Sequence, residues 1–206
     1  GYFAEDHVRT LSLIAPSIAT AMENALLYEE LEHREQAIQA DLEAAHRLQS
    51  IMMPQEAPPL TGLDVGIKMK AARLVSGDLF DFFEYDDEHA MLAFGDSSGK
   101  GAAAALYGAL FSGLRRAAAP RRRSPAQLLR SLNETLMERR VPARYVTLLV
   151  MLWQASERQF LMANAGSTTP LVCRGGEILQ PQASGVPVGL LENIEYDETI
   201  FAAEGC

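Results

Sequence analysis

The 206-residue chain has few cysteines, few basic residues and no long hydrophobic run. Its two cysteines, Cys173 and Cys206, lie far apart without zinc-site spacing, which argues against a disulfide scaffold and indicates a reducing compartment. Lys and Arg number 18 against 27 Asp and Glu, and the net charge of -9 argues against nucleic-acid binding. The apolar run at residues 145–153 is much shorter than the ~20 residues of a membrane span. We therefore expect a cytoplasmic protein without a membrane span in this segment.

What the chain does contain is an acidic, glycine-rich turn directly after an apolar segment, in residues 91–102. Asp96 ends the apolar segment, and Gly95, Gly99 and Gly101 permit the backbone angles of a tight turn into a helix. The amides at the start of such a helix favour negative charge. Asp96 is therefore the first candidate for a residue at an ion- or phosphate-binding site.

Three functions compete for this turn, beside the simpler interpretation of a glycine turn with an exposed Asp. A phosphate-binding P-loop requires one residue more than the spacing here provides. Residues 95–99 satisfy the Gly-x-Ser-x-Gly pattern of a serine hydrolase, with Ser97 as the nucleophile. In that fold the catalytic histidine follows the serine, whereas every histidine of this chain precedes it. The histidines are His7, His33, His46 and His89. The third function is a metal site.

A second acidic turn, Ser76-Gly77-Asp78, precedes an aromatic segment. If strands at 79–85 and 89–95 pair across the polar turn between them, Asp78 and Asp96 lie at the same end of a hairpin. Two close carboxylates repel each other unless one is protonated or a cation lies between them. Hard oxygen ligands of this kind suit magnesium or manganese. A site with two such ions activates water for attack on phosphorus.

With these motifs, the sequence resembles the bacterial metal-dependent serine/threonine phosphatases of the SpoIIE/RsbU type, relatives of the protein phosphatase 2C (PPM) fold. Family members read Gly-Gly-Asp-Phe-Tyr-Asp at the position of residues 76–81, and Gly-Asp-Val-Ser-Gly-Lys-Gly at residues 95–101. Four further matches follow in the same order. They are Ser131-Leu132-Asn133, Tyr145-Val146-Thr147-Leu148, Asn164-Ala165-Gly166 and Ser184-Gly185-Val186-Pro187-Val188-Gly189. Because several weak motifs occur in one order, the resemblance over about residues 40–206 is specific.

The resemblance implies a centre of two Mn²⁺ or Mg²⁺ ions. In such a centre Asp96 bridges both ions, Asp78 binds metal directly or through water, and the backbone carbonyl of Ser97 contacts one ion. The supporting turns contain Gly77, Gly95, Gly99 and Gly101. The nucleophile would be a metal-activated water rather than a protein side chain, and the substrate a phosphorylated protein of the anti-sigma-factor antagonist type.

The chain also departs from the family pattern. Ser97 stands where valine is common, and Ser167 where histidine is usual, but neither change removes a metal carboxylate. Family members continue past the position of Cys206 into strands that carry another metal-binding Asp. Since dication affinity depends on ligand count and charge, the sequence predicts an incomplete phosphatase domain with little or no activity. The alternative is a non-catalytic dimeric module that binds regulatory partners.

The N-terminal region has apolar residues at spacings of three and four, from Leu11 to Met52. This pattern predicts one long helix and favours a coiled coil that forms a homodimer, the alternative being a helix packed on its own domain. Residues 5–31 also resemble the last helix of a GAF sensor domain. We therefore predict three parts: the end of a GAF-like domain (1–27), a coiled-coil signalling linker (28–55) and an incomplete PPM-type phosphatase domain (56–206).

After Pro54, Pro58 and Pro59, strands and helices are predicted in separate blocks, which indicates an α+β domain. The predicted strands are 63–73, 79–85, 89–95, 144–154, 157–164, 169–174 and 177–179, and the predicted helices are 101–118 and 125–140. The resemblance implies a layered β-sandwich flanked by helices, after the long N-terminal coiled-coil helix. Because the first of these helices begins directly after the Asp96 turn, we hypothesise that the coiled coil repositions both helices and gates metal binding.

Overall fold

The computed structural model describes residues 5–70, 74–118, 122–138 and 140–203. The helices are α1 (Glu5–Met52), α2 (Gly101–Ala118) and α3 (Pro125–Glu138). The strands are β1 (Asp78–Asp86), β2 (His89–Ser97), β3 (Val146–Gln154), β4 (Gln159–Ala165), β5 (Val172–Arg174), β6 (Glu177–Leu179) and β7 (Thr199–Ala202). The predicted helices and most predicted strands are confirmed, with ends displaced by up to three residues.

The chain divides into two compact units, residues 1–44 and residues 45–206, and α1 crosses this boundary. The predicted long helix is confirmed and continues through Pro16, although proline removes a backbone donor from a helix interior. Most of the described large apolar side chains of the first unit are exposed, among them Leu11, Ile14, Ile18 and Leu31. By length and composition alone, the described part of α1 from His7 to Met52 is long and apolar enough to cross a membrane. Core helices of soluble proteins and signal sequences meet the same criterion, so this property alone does not establish a membrane span.

Five strands of the second unit form one antiparallel sheet in the order β1-β2-β3-β4-β7, and β5 pairs with β6 in a separate hairpin. Helices α2 and α3 pack on one face of the large sheet. Their side chains Phe111, Leu128 and Leu132 are buried against strand residues such as Met91 and Val150. The predicted α+β class, with an antiparallel sheet flanked by helices, is therefore confirmed.

The opposite face of the sheet carries a second apolar cluster around Trp153 and Phe160, whose ring centroids lie 4.8 Å apart. The segment that contains Leu60 and Leu63 covers this cluster, and the Trp153 indole N–H donates to the Thr61 carbonyl at 2.8 Å. The prediction of a strand at 63–73 is wrong for residues 63–70, because this segment packs through side chains and makes only an isolated bridge between Leu60 and Leu63. Residues 71–73 lie outside the described ranges.

The remaining comparison with the predicted elements concerns the two ends of α3 and the short strand β7. Helix α3 begins with Pro125 in its first position, and Ser124 and Gln127 exchange hydrogen bonds in the manner of a capping box. Strand β7 was not predicted, since its four residues are too few to establish a reliable alternation. The helix that was predicted to reach residue 140 ends at Glu138, and residue 139 lies outside the described ranges.

Candidate metal centre

The two candidate carboxylates lie at the same end of the β1–β2 hairpin, where Asp78 is the direct register partner of Asp96. The hairpin prediction is therefore confirmed. Partial burial raises the pKa of the Asp96 carboxyl above its usual value, the nearby charge of Asp78 raises it further, and a hydrogen bond from the Ser97 backbone opposes the rise. The pair is thus an electrostatically unfavourable arrangement that a cation would relieve.

The turn before β1 holds Asp78 through its neighbour Ser76. The Ser76 hydroxyl donates to Asp78 Oδ2 at 2.8 Å and accepts from the Asp78 backbone N–H at 3.1 Å. Ser76 is in turn fixed by Gln49, near the end of α1, whose Oε1 accepts from Ser76 N–H (3.0 Å) and whose Nε2 donates to Ser76 O (2.6 Å). These bonds connect the last turns of α1 to the candidate ligand.

Gly77 brings the two acidic turns into contact. Its carbonyl accepts from Ser97 N–H at 3.0 Å. A Cβ placed on Gly77 would lie 2.5 Å from Asp96 Oδ1 and 2.8 Å from the Ser97 carbonyl oxygen. The Asp96 carboxylate and the Ser97 carbonyl therefore border one small space that only glycine leaves free. Oxygen atoms grouped in this way fit the ligand preference of a hard divalent cation.

The set of candidate metal ligands is nevertheless small. Among the described residues, no group of three or more His, Cys, Asp or Glu side chains is arranged to hold a metal ion. Asp78, Asp96 and the Ser97 carbonyl would supply oxygen ligands for one hard cation. A pair of ions, as the resemblance implies, would need further carboxylates.

The Ser97 side chain is unsuited to nucleophilic attack. Ser97 is completely buried, and its hydroxyl donates to the Ala104 carbonyl in the first turns of α2 at 2.7 Å. His89 lies at the far end of β2, eight residues from Ser97, or about 26 Å along an extended strand. The geometry therefore does not support the serine hydrolase interpretation.

The other predicted turn residues lie around the same end of the sheet. Gly95 is buried and approaches the Thr147 carbonyl so closely that a Cβ would overlap it. Gly99 and Gly101 have φ values of 103° and 67°, which L side chains rarely adopt, and Gly101 starts α2. Gly77, Gly99 and Gly101 thus lie in the segments that flank the acidic pair. The prediction of a turn is wrong for Gly95, which lies within β2, where the close approach of the Thr147 carbonyl requires a residue without a Cβ.

Two residues near this site were not predicted from the sequence. The first is Gln49, which accepts a hydrogen bond from Ser76 N–H. The second is Arg144, whose Nη1 donates to the Ser98 carbonyl at 2.7 Å. Arg144 directly precedes the Tyr145-Val146-Thr147-Leu148 motif, and that position is the one signal that could have drawn attention to it. Gln49 resembles any polar residue of a helix and carries no such signal.

Comparison with known proteins determines the family. The model of the family described as stage II sporulation protein E (SpoIIE) matches residues 86–204, more than half of the chain. This chain belongs to the SpoIIE family. Asp96 lies inside the matched range, whereas Asp78 precedes it.

A curated relative of this SpoIIE-family chain agrees with that assignment. The phosphoserine phosphatase RsbU of Bacillus subtilis (strain 168) is 24% identical over 166 residues, which are 80% of this chain and 49% of RsbU. The chain therefore spans about half the length of this curated relative.

Solved structures show the same fold. The SiaA-PP2C domain of Pseudomonas aeruginosa has a TM-score of 0.64 at 17% identity, over 82% of this SpoIIE-family chain and 68% of that domain. RsbX in complex with magnesium has a TM-score of 0.50 at 19% identity, over 62% of this chain and 61% of RsbX. The fold is thus the PPM phosphatase fold that the family resemblance implied.

Proposed function

We propose that this chain is part of a metal-dependent protein phosphatase that acts on phosphoserine or phosphothreonine. The observation that carries the proposal is the direct pairing of Asp78 with Asp96, in a SpoIIE-family fold, with the pKa of Asp96 raised. RsbU, the relative described above, is a phosphoserine phosphatase, which supports this reaction class.

In this proposal Asp96 and Asp78 hold a divalent ion together with the Ser97 carbonyl. A Mn²⁺ or Mg²⁺ ion bound there would supply Lewis-acid activation of water for attack on phosphorus. The magnesium in the RsbX complex supports an ion of this kind. Ser76 orients the Asp78 carboxylate through the 2.8 Å hydrogen bond, and Gly77 keeps open the space beside Asp96. The protein supplies no covalent nucleophile.

The proposed substrate is a phosphorylated protein of the anti-sigma-factor antagonist type, and the proposed location is the cytoplasm. The family assignment supports the substrate class, and the acidic composition agrees with a protein partner rather than nucleic acid.

We further propose that residues 1–27 end a GAF-like domain, that residues 28–55 form a signalling linker, and that the exposed apolar side chains of α1 mediate a homodimer.

We also propose that metal binding and activity are weak in this chain as it stands. Two carboxylates and one carbonyl are few ligands, and divalent-ion affinity rises with ligand number and charge. The same observation favours a second candidate, a non-catalytic module that retains the phosphatase fold for binding partners.

The test combines manganese binding with hydrolysis of a chromogenic phosphate ester and of a phosphoserine peptide. Bound Mn²⁺ is measured from the electron paramagnetic resonance signal of the free ion. Asp96→Asn is the test variant, and Glu84→Gln is the matched control, since Glu84 is an exposed acid in the other half of β1. We expect Mn²⁺ binding and Mn²⁺-dependent hydrolysis by the wild type and the control, and loss of both in Asp96→Asn.

Binding without hydrolysis would favour the partner-binding module over the phosphatase. Absence of Asp96-dependent Mn²⁺ binding would contradict the proposed metal site itself.

A further inference from the structure

The loop before β3 is fastened to the turn after β2 through hydrogen bonds to Ser98. Ser98 N–H donates to the Tyr145 carbonyl at 2.8 Å, and the Ser98 hydroxyl accepts from Tyr145 N–H at 3.0 Å. The same hydroxyl donates to the Ala143 carbonyl at 3.4 Å. Arg144 completes the set by donating from Nη1 to the Ser98 carbonyl at 2.7 Å. Both backbone groups and the side chain of Ser98 are thus engaged by residues 143–145.

These bonds fix the direction of the Ser97 carbonyl. In a trans peptide the carbonyl of Ser97 points away from the N–H of Ser98. Since that N–H is directed to Tyr145, the Ser97 carbonyl oxygen is directed to the other side, where it lies beside Gly77 and the Asp96 carboxylate. The candidate ligand atom is therefore oriented by a contact made on the opposite edge of its own peptide plane.

Arg144 holds the following peptide plane, and the backbone around it is shaped for this contact. Gly99 has a φ of 103°, and a Cβ at this position would overlap the Arg144 guanidinium. Ala143 is a non-glycine residue with a φ of 56°, a conformation that persists only where surrounding contacts impose it. A hydrogen bond from a charged donor to a carbonyl is stronger than one between neutral groups. The half-buried guanidinium is thus the charged component of this contact.

We propose that Arg144 is a positioning residue of the metal centre, which keeps the Ser97 carbonyl directed to the side of Asp96 by holding the Ser98 carbonyl. This inference rests on the proposed function, because it concerns a ligand of the same site. Arg144 acts through the backbone of Ser97–Ser98, and the role requires no contact with the substrate. A residue that only fastened the loop would affect stability without changing the affinity for metal.

The experiment compares Arg144→Met, which keeps side-chain length but removes the charge and the donors, with Arg144→Lys, which keeps a charge and one donor group. Arg140→Met is the matched control, since Arg140 is an exposed arginine of the same loop region. Mn²⁺ affinity is measured by electron paramagnetic resonance. Hydrogen exchange of residues 97–101 is measured in the metal-free protein, together with the unfolding temperature.

We expect Arg144→Met to lower Mn²⁺ affinity by about 10- to 100-fold, the usual range for an outer-shell partner of a metal ligand. Exchange across residues 97–101 should accelerate, and Arg140→Met should match the wild type in both measurements. Arg144→Lys should lie between the wild type and Arg144→Met, because lysine lacks the planar fork of arginine. If Arg144→Met does not fold, the lysine variant provides the same test.

A folded Arg144→Met variant with the affinity of the wild type would overturn the inference, as would an equal loss in Arg140→Met. The proposed function and this inference fail in different ways. If Asp96→Asn abolishes Mn²⁺ binding but Arg144→Met does not change it, only the role of Arg144 is wrong. If the wild type itself binds no Mn²⁺, the metal site is wrong and the role of Arg144 falls with it.

Discussion

Asp78 and Asp81 lie three residues apart on β1, yet their electrostatic surroundings are opposite. Asp78 is exposed, and its partner across the ladder is another acid, Asp96. Asp81 is buried, and Oδ2 of its carboxylate accepts from Arg115 Nη2 at 2.7 Å and from Arg116 Nε at 2.8 Å. One aspartate therefore has its counter-charges built into the fold, whereas the other has a like charge as its neighbour.

The buried pair belongs to the structure of the domain. Arg115 is completely buried, and its guanidinium lies 4.9 Å from the centroid of the Phe83 ring. Burial lowers the pKa of Arg115, and the carboxylate of Asp81 opposes that shift. Within the described residues, Arg115 Nε and Nη1 have no hydrogen-bond partner, so Asp81 is the main compensation for the buried charge. An acid with arginine partners therefore stabilises the fold, whereas two opposed acids are suited to binding a cation.

The largest expected effect is that of Asp81→Asn on stability. It would leave the buried Arg115 charge without its carboxylate, which costs about 3–5 kcal/mol for a buried ion pair. Asp78→Asn is the matched control, because Asp78 is exposed, and its effect should stay within about 0.5 kcal/mol. Urea unfolding of both variants measures the difference.

A double substitution tests the same buried charge pair. Adding Arg115→Met to Asp81→Asn should recover much of the lost free energy of unfolding, because the uncompensated charge is then absent. Equal losses in Asp78→Asn and Asp81→Asn would show that the two aspartates do not differ in the way their surroundings indicate.

An intermediate effect is expected for Gly77→Ala, which acts on the acidic pair without changing a charge. The new Cβ would lie 2.5 Å from Asp96 Oδ1 and 2.8 Å from the Ser97 carbonyl oxygen, so the turn must shift. Overpacking of this kind costs about 1–3 kcal/mol, and we expect Mn²⁺ binding to fall with it. Thermal unfolding and Mn²⁺ titration measure the two effects.

Gly113→Ala is the control for that substitution. Gly113 lies in α2, and nothing lies within 4 Å of its Cβ position, so alanine should stabilise the helix by up to about 1 kcal/mol. A Gly77→Ala protein as stable as the wild type, with unchanged Mn²⁺ binding, would mean that the two acidic turns are not in contact.

The sequence was sufficient to predict that Asp78 and Asp96 lie together, because the short turn of a hairpin leaves little freedom in the register of its two strands. The polar turn at 86–88 and two strands of equal length place Asp78 opposite Asp96, and the structure has this register. The length of α1 and the start of α3 were equally accessible, because helical periodicity and capping residues are local signals.

The supporting contacts could not be predicted, because they join residues that are distant along the chain. Gln49 contacts Ser76 across 27 positions, and Arg144 contacts Ser98 across 46. Asp81 was visible in the motif of residues 76–81, but its partner Arg115 lies 34 positions away and is charged where burial favours apolar residues. Such pairings depend on how α2 and the loop before β3 pack on the sheet, which a single sequence does not specify.

The smallest expected effect is a pH-dependent gain of stability in Asp96→Asn. Because the pKa of Asp96 is raised in the folded state, ionisation of this carboxyl opposes folding. The contribution of this carboxyl to the free energy of unfolding is most favourable below the pKa of about 3.9 that an aspartate has in the unfolded chain. That contribution is lost as the pH rises through the higher pKa of the folded state. In the metal-free protein, Asp96→Asn should therefore equal the wild type at low pH and exceed it at neutral pH. The gain should stay below about 1 kcal/mol, because the site is largely open to solvent.

Urea unfolding in a chelator across pH 3.5–7.5 tests this, and adding Mn²⁺ should reverse the order at neutral pH. An ion bound to the wild type stabilises it by mass action, whereas the asparagine variant lacks the ligand that holds the ion. A wild type that remains the more stable protein in the chelator at neutral pH would contradict the electrostatic conflict between Asp78 and Asp96. The reversal is the sharper result, because the substitution is the same in both media and only the cation differs.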